Sequence, residues 1–401
     1  MVSKGSDTVA NPAATSWPYV IATCSAIAAI AYLSVWGRRY GLDLRVYRDS
    51  VSFWASGKNP YLVTYTQKGL PFTYPPFALL ALAPLSWPAF PVAQWLLWVA
   101  SIAAATGSVV LVLRDRGVAV TKRLWCEALA WSCVSVIVLE PARSGFDYGQ
   151  IECILMFIVV ADLLLVPPRY RGVLTGFAAA VKLTPLVFVL VFAVSRDVKS
   201  VIRAVVSFLA WTALSWLFWP GLSHLYWFHD VRKPARDGSI AYSGNQSWYA
   251  IVHRPPFPAN GSALAWILLS LLTLVVSAFV AWRCLGASQK AFAMISVALA
   301  GLLVSPISWT HHWIWVLLIP PMLVGGRSPD VPRPVRTLLW GLIALTIAGP
   351  YWWFGNGIPA DVFDAVLPLW AAAILIVWGA IGLRARRGRP EPSGVRSVTP
   401  V

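Results

Sequence analysis

The sequence predicts an all-α polytopic membrane protein, and three observations carry that reading. Of its 401 residues, 58% are hydrophobic and 12% charged, against a charged share of about 25% in a soluble domain. Mean hydropathy is +0.67, and apolar runs close to the ~20 residues that cross a bilayer recur along the chain. The runs are rich in Leu, Ala, Val and Ile and lack the alternation of a barrel strand, so they read as helices that satisfy their own backbone polar groups.

Taken in order, residues 1–16 are polar and read as a disordered cytoplasmic N-terminus, without a convincing signal-peptide cleavage site. Apolar runs follow near 17–36, 89–113, 124–140 and 151–166. Lys and Arg counts orient them: the loops with Arg114, Arg116, Lys122 and Arg123, and with Arg169 and Arg171, fall inside. Arg38 and Arg39 oppose that rule locally, and anion binding is one reason for cations there.

Region 172–194 lies between two basic loops, the second holding Arg196, Lys199 and Arg203. It breaks at Lys182-Leu183-Thr184-Pro185, where a proline interrupts the helix and a charge sits in apolar surroundings. Two short half-helices with Lys182 near the apex are expected. Broken backbone at membrane depth requires burial in protein or a cavity wall. Runs near 204–219, 262–281, 291–307, 313–326, 337–354 and 363–383 complete a scheme of about 12 membrane helices, the short broken pair included. Residues 17–383 then form a single transmembrane domain without a visible internal repeat. The basic and then Pro/Ser-rich stretch 384–401 is read as a cytoplasmic tail.

Net charge is +16, from 32 basic and 16 acidic residues. In a soluble protein that balance would suggest nucleic acid. Here the cations occupy short loops, where topology and anionic headgroups account for them, so membrane lipids are the expected partner and nucleic acid is not. The five cysteines lie in or beside apolar runs without a CxxC pair, so neither structural disulfides nor a zinc site is expected.

Polar residues that could carry chemistry cluster on the outer face. Between Gly41 and Phe77 come Asp43, Arg45, Arg48 and Asp49, then a Gly/Asn/Pro-rich turn and the cluster Phe72-Thr73-Tyr74-Pro75-Pro76. A partly buried Asp43 could take a proton from a sugar hydroxyl within hydrogen-bond reach. Asp49 is the competing carboxylate; helical spacing turns it away from Asp43, toward Arg45 as a structural i, i+4 pair. Phe146-Asp147-Tyr148-Gly149-Gln150, followed by Glu152, and Ser243-Gly244-Asn245-Gln246-Ser247-Trp248 offer amides that suit sugar hydroxyls. His311 and His312 stand in an outer turn beside Trp309 and Trp313. Neighbours on a helix point about 100° apart and rarely share a metal. They serve either as an interfacial cap or by bonding a phosphate or sugar while a tryptophan offers its ring face. No outer cluster of Asp and Glu stands ready for a metal, so no cofactor is demanded.

Asp43-Leu44-Arg45-Val46-Tyr47, the Phe72–Pro76 turn, Gly149-Gln150, the Lys182–Pro185 break, Gly244–Ser247 and Ser305–His312 together resemble glycosyltransferase family 87, from about 17 to 383. These are polytopic C-type glycosyltransferases of actinobacteria. Within the family, the chain most resembles enzymes that use polyprenyl-phosphate-mannose to extend phosphatidylinositol mannosides through α-(1,2) linkages. The resemblance implies Asp43 as catalytic base and a late outer-turn histidine, His312 or His311. A leaving lipid phosphate needs positive charge and donors, for which Lys182, Arg45 and His312 or His311 are the candidates, while Tyr74, Gln150, Asn245, Gln246 and Trp309 are the candidate substrate contacts. Glu152 stands where an amide would be expected, which leaves the Gly-Gln turn's role open. The implied partners are a polyprenyl-phosphate-sugar donor and a glycolipid acceptor, with the site on the periplasmic side of the inner membrane. Relatives that transfer arabinofuranose share these motifs, and a flippase for a lipid-linked sugar is the rival class.

Overall fold

A computed structural model describes residues 12–36, 41–233, 239–255, 262–325, 331–354 and 358–387. The expectations for Arg38 and Arg39, and those for residues 1–11 and 388–401, lie outside the described residues. The chain opens with helix α1 (Pro12–Val35), α2 (Leu42–Ala55) and a two-residue antiparallel hairpin, β1 (Thr64–Tyr65) with β2 (Leu70–Pro71). Then come α3 (Phe77–Leu82), α4 (Phe90–Asp115), α5 (Lys122–Val138), α6 (Glu140–Tyr148) and α7 (Glu152–Leu164). The middle holds α8 (Val173–Val181), α9 (Val189–Val194), α10 (Val198–Phe218), α11 (Pro220–Phe228) and α12 (Trp248–Ile251). The rest is α13 (Ala263–Gly286), α14 (Lys290–Val304), α15 (Ile319–Val324), α16 (Arg333–Ala348) and α17 (Ile358–Arg387).

Among the described residues, five helices are long and apolar enough to cross a membrane, in α1, α4, α10, α13 and α17. A sixth results if α5 and α6, bent by 83°, make one span. Several other expected runs fold as shorter pieces: α7 has 13 residues, α14 has 15, and 313–326 divides between a 3-10 stretch and α15. Prolines shape this division, with Pro320 at the start of α15 and Pro185 at the start of the 3-10 turn Thr184–Phe188.

Burial separates lipid-facing helices from central ones. α10 and α13 turn Ile202, Val205 and Leu209, and Leu264, Leu268 and Val275, outward. These are the apolar faces that hydrocarbon covers. α4 is mostly buried and packs against α5 and α7. Buried residues from α1 through α17 join in one continuous apolar core.

Three local features position the site. α2 lies outside the spans with an amphipathic stripe: Leu44, Val46, Tyr47, Ser50 and Val51 are buried, whereas Arg45 and Asp49 are exposed. Asp43, Val46 and Tyr47 share the inward face at i, i+3 and i+4 spacing. Arg48 fastens this helix by donating from Nη1 to the carbonyls of Leu85 and Pro88, at 2.5 and 2.7 Å.

The broken pair forms as expected. α8 ends at Val181, Lys182 is extended (φ −147°, ψ 131°), and a 3-10 turn follows. Pro185 lacks the N–H that would continue the helix to the Val181 carbonyl. The start of α8 is held by Asp162 of α7, whose carboxyl accepts from the N–H groups of Gly172 and Thr175, at 3.0 and 2.9 Å. A carboxylate on free helix-start donors fits both the hydrogen bonding and the dipole.

The 83° corner places α6 across the end of the bundle. Gly149 ends α6 in the left-handed region at φ 74°, and a Cβ there would meet Leu44 Cβ of α2 at 2.8 Å. A glycine therefore allows the close approach that brings Gln150 against α2.

Candidate active site

A cavity of ≈ 350 Å³ lies between α2, the Thr73-Tyr74 turn, the end of α6, the Lys182 break and the Trp309–His312 turn. Asp43, Tyr74, Gln150, Lys182, Trp309, His311 and His312 all line it. Seven of the ten residues proposed from sequence are thus brought together from five separate stretches of chain.

Asp43 is at the first turn of α2 and accepts from Gln150 Nε2 at 2.5 Å. The Gln150 amide oxygen accepts from Tyr47 Oη at 2.7 Å and from Tyr74 Oη at 3.2 Å, and the two phenol oxygens are 2.6 Å apart. Tyr61 fixes the Tyr74 backbone by donating to its carbonyl at 2.8 Å. Burial pushes the Asp43 carboxyl from its ordinary value up to about 7; the Gln150 bond opposes the rise, Glu152 adds to it and Lys182 counters it. A carboxyl near neutrality is poised to accept a proton at physiological pH.

Lys182 projects from the break toward the same space. Its ammonium pairs with Glu152 Oε1, lies 3.1 Å from His312 Nε2, and stands 5.2 Å from the Tyr74 ring centroid. A neutral His312 with a free Nε2 lone pair satisfies that contact. Burial first, and then the Lys182 charge, hold the His311 and His312 imidazoles well below the ordinary histidine range. Their rings sit 4.7 Å apart at 83°. The turn enters a 3-10 helix rather than an α-helix, and both rings face this cavity.

Glu152, His311 and His312 could hold a divalent ion, since each offers a ligand atom and these lie within 4.8 Å of one another. Neighbouring histidines rarely share a metal, and here the 3-10 turn nevertheless sets both rings near Glu152. A second cavity of ≈ 190 Å³ adjoins the first; Thr73, Tyr74, Lys182 and His312 line both.

Three expected ligands stand outside the main cavity. Arg45 is exposed, with its guanidinium 4.1 Å from the Phe90 ring centroid. Its position on α2 turns it away from Asp43. Asn245 and Gln246 are 0% exposed and bond backbone. Asn245 accepts from Ser308 N–H at 2.9 Å and donates to the carbonyls of Ile240 and Pro306, both at 3.1 Å. Gln246 donates from Nε2 to Ser243 O at 2.6 Å, and its N–H bonds Ser308 O at 2.8 Å. The Asn245 amide and the Gln246 backbone N–H splint the Trp309 turn.

Further residues complete the site, and the sequence alone marks their roles faintly. Glu152 was legible only as an oddity beside Gln150. Tyr47 was within reach of helical spacing from Asp43. Tyr148, Tyr242 and Trp352 add aromatic surface to the cavity, with the Tyr242 ring centroid 6.1 Å from Trp309 and 5.8 Å from Trp352. Glu140, 3% exposed, accepts from Thr310 Oγ1 at 3.0 Å, Tyr351 Oη at 2.8 Å and Trp352 Nε1 at 3.2 Å. It thereby ties the histidine turn to α6.

The site can do three things. It presents a carboxyl able to take a proton, a buried cation beside neutral imidazoles, and flat aromatic surfaces for the apolar faces of a sugar.

Comparison with known proteins agrees. The sequence model of glycosyltransferase family 87 matches residues 72–306. A polyprenol-phosphate-mannose-dependent alpha-(1-2)-phosphatidylinositol mannoside mannosyltransferase of Mycolicibacterium smegmatis is 36% identical, over 77% of this chain and 74% of its own length. A pentamannoside mannosyltransferase of the same dependence from Mycobacterium tuberculosis is 34% identical, over 90% of this chain and 86% of its own. No solved structure matches the chain. With the family's match over more than half the chain and these relatives along most of it, the protein is a member of glycosyltransferase family 87.

Proposed function

We propose that this glycosyltransferase moves mannose from polyprenyl-phosphate-mannose to the 2-hydroxyl of a mannosylated phosphatidylinositol, forming an α-(1,2) linkage. The single observation that carries the mechanism is Asp43, with its raised pKa, in one cavity with Lys182 and His312. The names of the relatives supply the donor and acceptor classes.

The acceptor oxygen attacks the anomeric carbon as Asp43 takes the hydroxyl proton. The bond from that carbon to the phosphate oxygen breaks in the same step, inverting the centre. The leaving group is a lipid phosphate anion, which needs positive charge more than a proton, and Lys182 supplies it beside His312. Gln150 aims the carboxylate of Asp43, while Trp309 and Tyr74 bound the sugar. No step calls for a metal.

In this reading residues 17–383 act as one transmembrane domain of the inner membrane, and the cavity faces the periplasm. Half-helices such as α8 and α9 complete membrane passes beyond those of the long helices, toward the expected total of about 12. A tail from residue 384 stays cytoplasmic.

The test is purified protein in detergent with both lipids and product mass spectrometry. The expected product gains one hexose without any sealed compartment, and Asp43→Asn forms it at least about a hundredfold more slowly. Gain of a pentose from a lipid-phosphate arabinose would make the enzyme an arabinofuranosyltransferase. Dependence on a sealed vesicle would point to a flippase.

A further inference from the structure

Several buried polar atoms beside Lys182 have no hydrogen-bond partner. His311 is 5% exposed, and neither ring nitrogen has a hydrogen-bond partner. Glu152 Oε2 is also buried and unpartnered. With His312 these two residues gather one carboxylate and two imidazoles within 4.8 Å, the ligand types and the reach of a zinc or manganese site. Unpartnered acceptors so placed call for a positive charge.

That charge is already present. The Lys182 ammonium pairs with Glu152 Oε1 and sits 3.1 Å from His312 Nε2, against two of the three residues of the set. The Tyr74 ring lies on a further side at 5.2 Å. An ammonium and a metal ion held by the same three residues repel each other at this range, so both cannot occupy the cluster. The ammonium is held there by the backbone break at 182–185, which leaves Lys182 extended instead of helical.

We infer that Lys182 is the resident cation of a cluster whose other members are metal ligands, and that removing its charge makes Glu152, His311 and His312 a divalent transition-metal site. The wild-type protein excludes the metal and carries its cation covalently. The further consequence, that this ammonium replaces a metal in steadying the donor phosphate, rests on the mannosyl-transfer reading; the metal-binding claim does not.

The experiment takes full-length protein in detergent, strips it with a chelator, and equilibrates it with Co²⁺. Bound cobalt is read by elemental analysis and by its visible spectrum. Wild type and Lys182→Arg are expected to take up none at this cluster. Lys182→Met gains about one equivalent with the spectrum of nitrogen and oxygen ligation, and adding His312→Ala removes it. A folded Lys182→Met that binds no cobalt overturns the inference. So does cobalt on wild type that His311→Ala or His312→Ala abolishes. Should Lys182→Met not fold, the wild-type measurement decides, together with its transfer rate after chelation. An unchanged rate is expected, and a loss reversed by divalent ions overturns the inference. If wild type transfers no mannose at all, the proposed function fails while the cobalt result stands by itself.

Discussion

Gln150 donates to Asp43 at 2.5 Å because Tyr47, donating to the other end of the same amide at 2.7 Å, fixes which end faces the carboxyl. The Asp43 carboxyl is therefore aimed by an amide, and the amide by a phenol. Asp43 and Tyr47 sit one helical turn apart on α2, so the arrangement closes on itself through Gln150.

Asp43→Asn should lower the rate of transfer by about 10²–10⁴-fold, the usual contribution of a general base. The folded carboxyl titrates near about 7, above its ordinary 3.8. The native state thus holds this proton more tightly than the unfolded chain does. The resulting stabilisation is full below ~4 and fades as pH rises through about 7. Asn escapes that loss, so at pH 8 the variant should melt no lower than wild type in detergent. A markedly lower melting temperature would make the residue a structural one.

The pH profile of transfer should rise through about 7 as Asp43 loses its proton. The Gln150 bond favours the charged carboxylate, so Gln150→Leu should move this limb to higher pH, by roughly one unit. Tyr47→Phe should move it the same way by less, since Tyr74 still reaches the amide oxygen at 3.2 Å. Profiles that superimpose for all three proteins would remove Asp43 as the titrating group.

Gly149→Ala should destabilise the fold by about 1–2 kcal/mol from left-handed strain, and more from the Cβ that would meet Leu44 at 2.8 Å. The displaced partner is α2, which carries Asp43. Lowered heat stability should therefore come with a lowered turnover rate, measured on the same preparation.

Asn245→Ala separates a splint from a sugar ligand. Losing its bonds to Ser308, Ile240 and Pro306 leaves buried backbone groups unmet, at about 1–3 kcal/mol each. Melting temperature should fall, and the Michaelis constant for acceptor should rise as Trp309 loses its footing. A rise without any loss of heat stability would return Asn245 to the list of substrate contacts.

How far the chain could be read in advance depended on whether a feature was local. Apolar length marked the long helices, and Pro185 marked the break that frees Lys182. The period of α2 sufficed to set Asp43 apart from Asp49. Arg45 was misjudged because closeness in sequence is not closeness on a helix: two residues from Asp43, it points to the other side. Asn245 and Gln246 bond backbone because amides suit backbone as well as sugars, and only the fold shows which partner is near. The roles of Glu152 and Glu140 were not legible for a related reason. Their partners lie far along the chain, with Lys182 30 residues from Glu152 and Tyr351 211 residues from Glu140. The overall tally of crossings also exceeded what the long helices provide, since hydropathy registers apolar runs without registering where proline divides them.

The closing turn of α6 has neighbours on its carbonyls: Trp98 of α4 donates to Phe146 O at 2.9 Å, and Gly41, just before α2, donates to Asp147 O at 2.8 Å. Groups that a helix end normally leaves to water are here shared among three segments. Fraying or tilting of that corner would have to drag α2 and α4 along. The lipid-facing α10 and α13 take no part in this knot, so a thicker or thinner bilayer can change their lean while the geometry between Gln150 and Asp43 keeps its register.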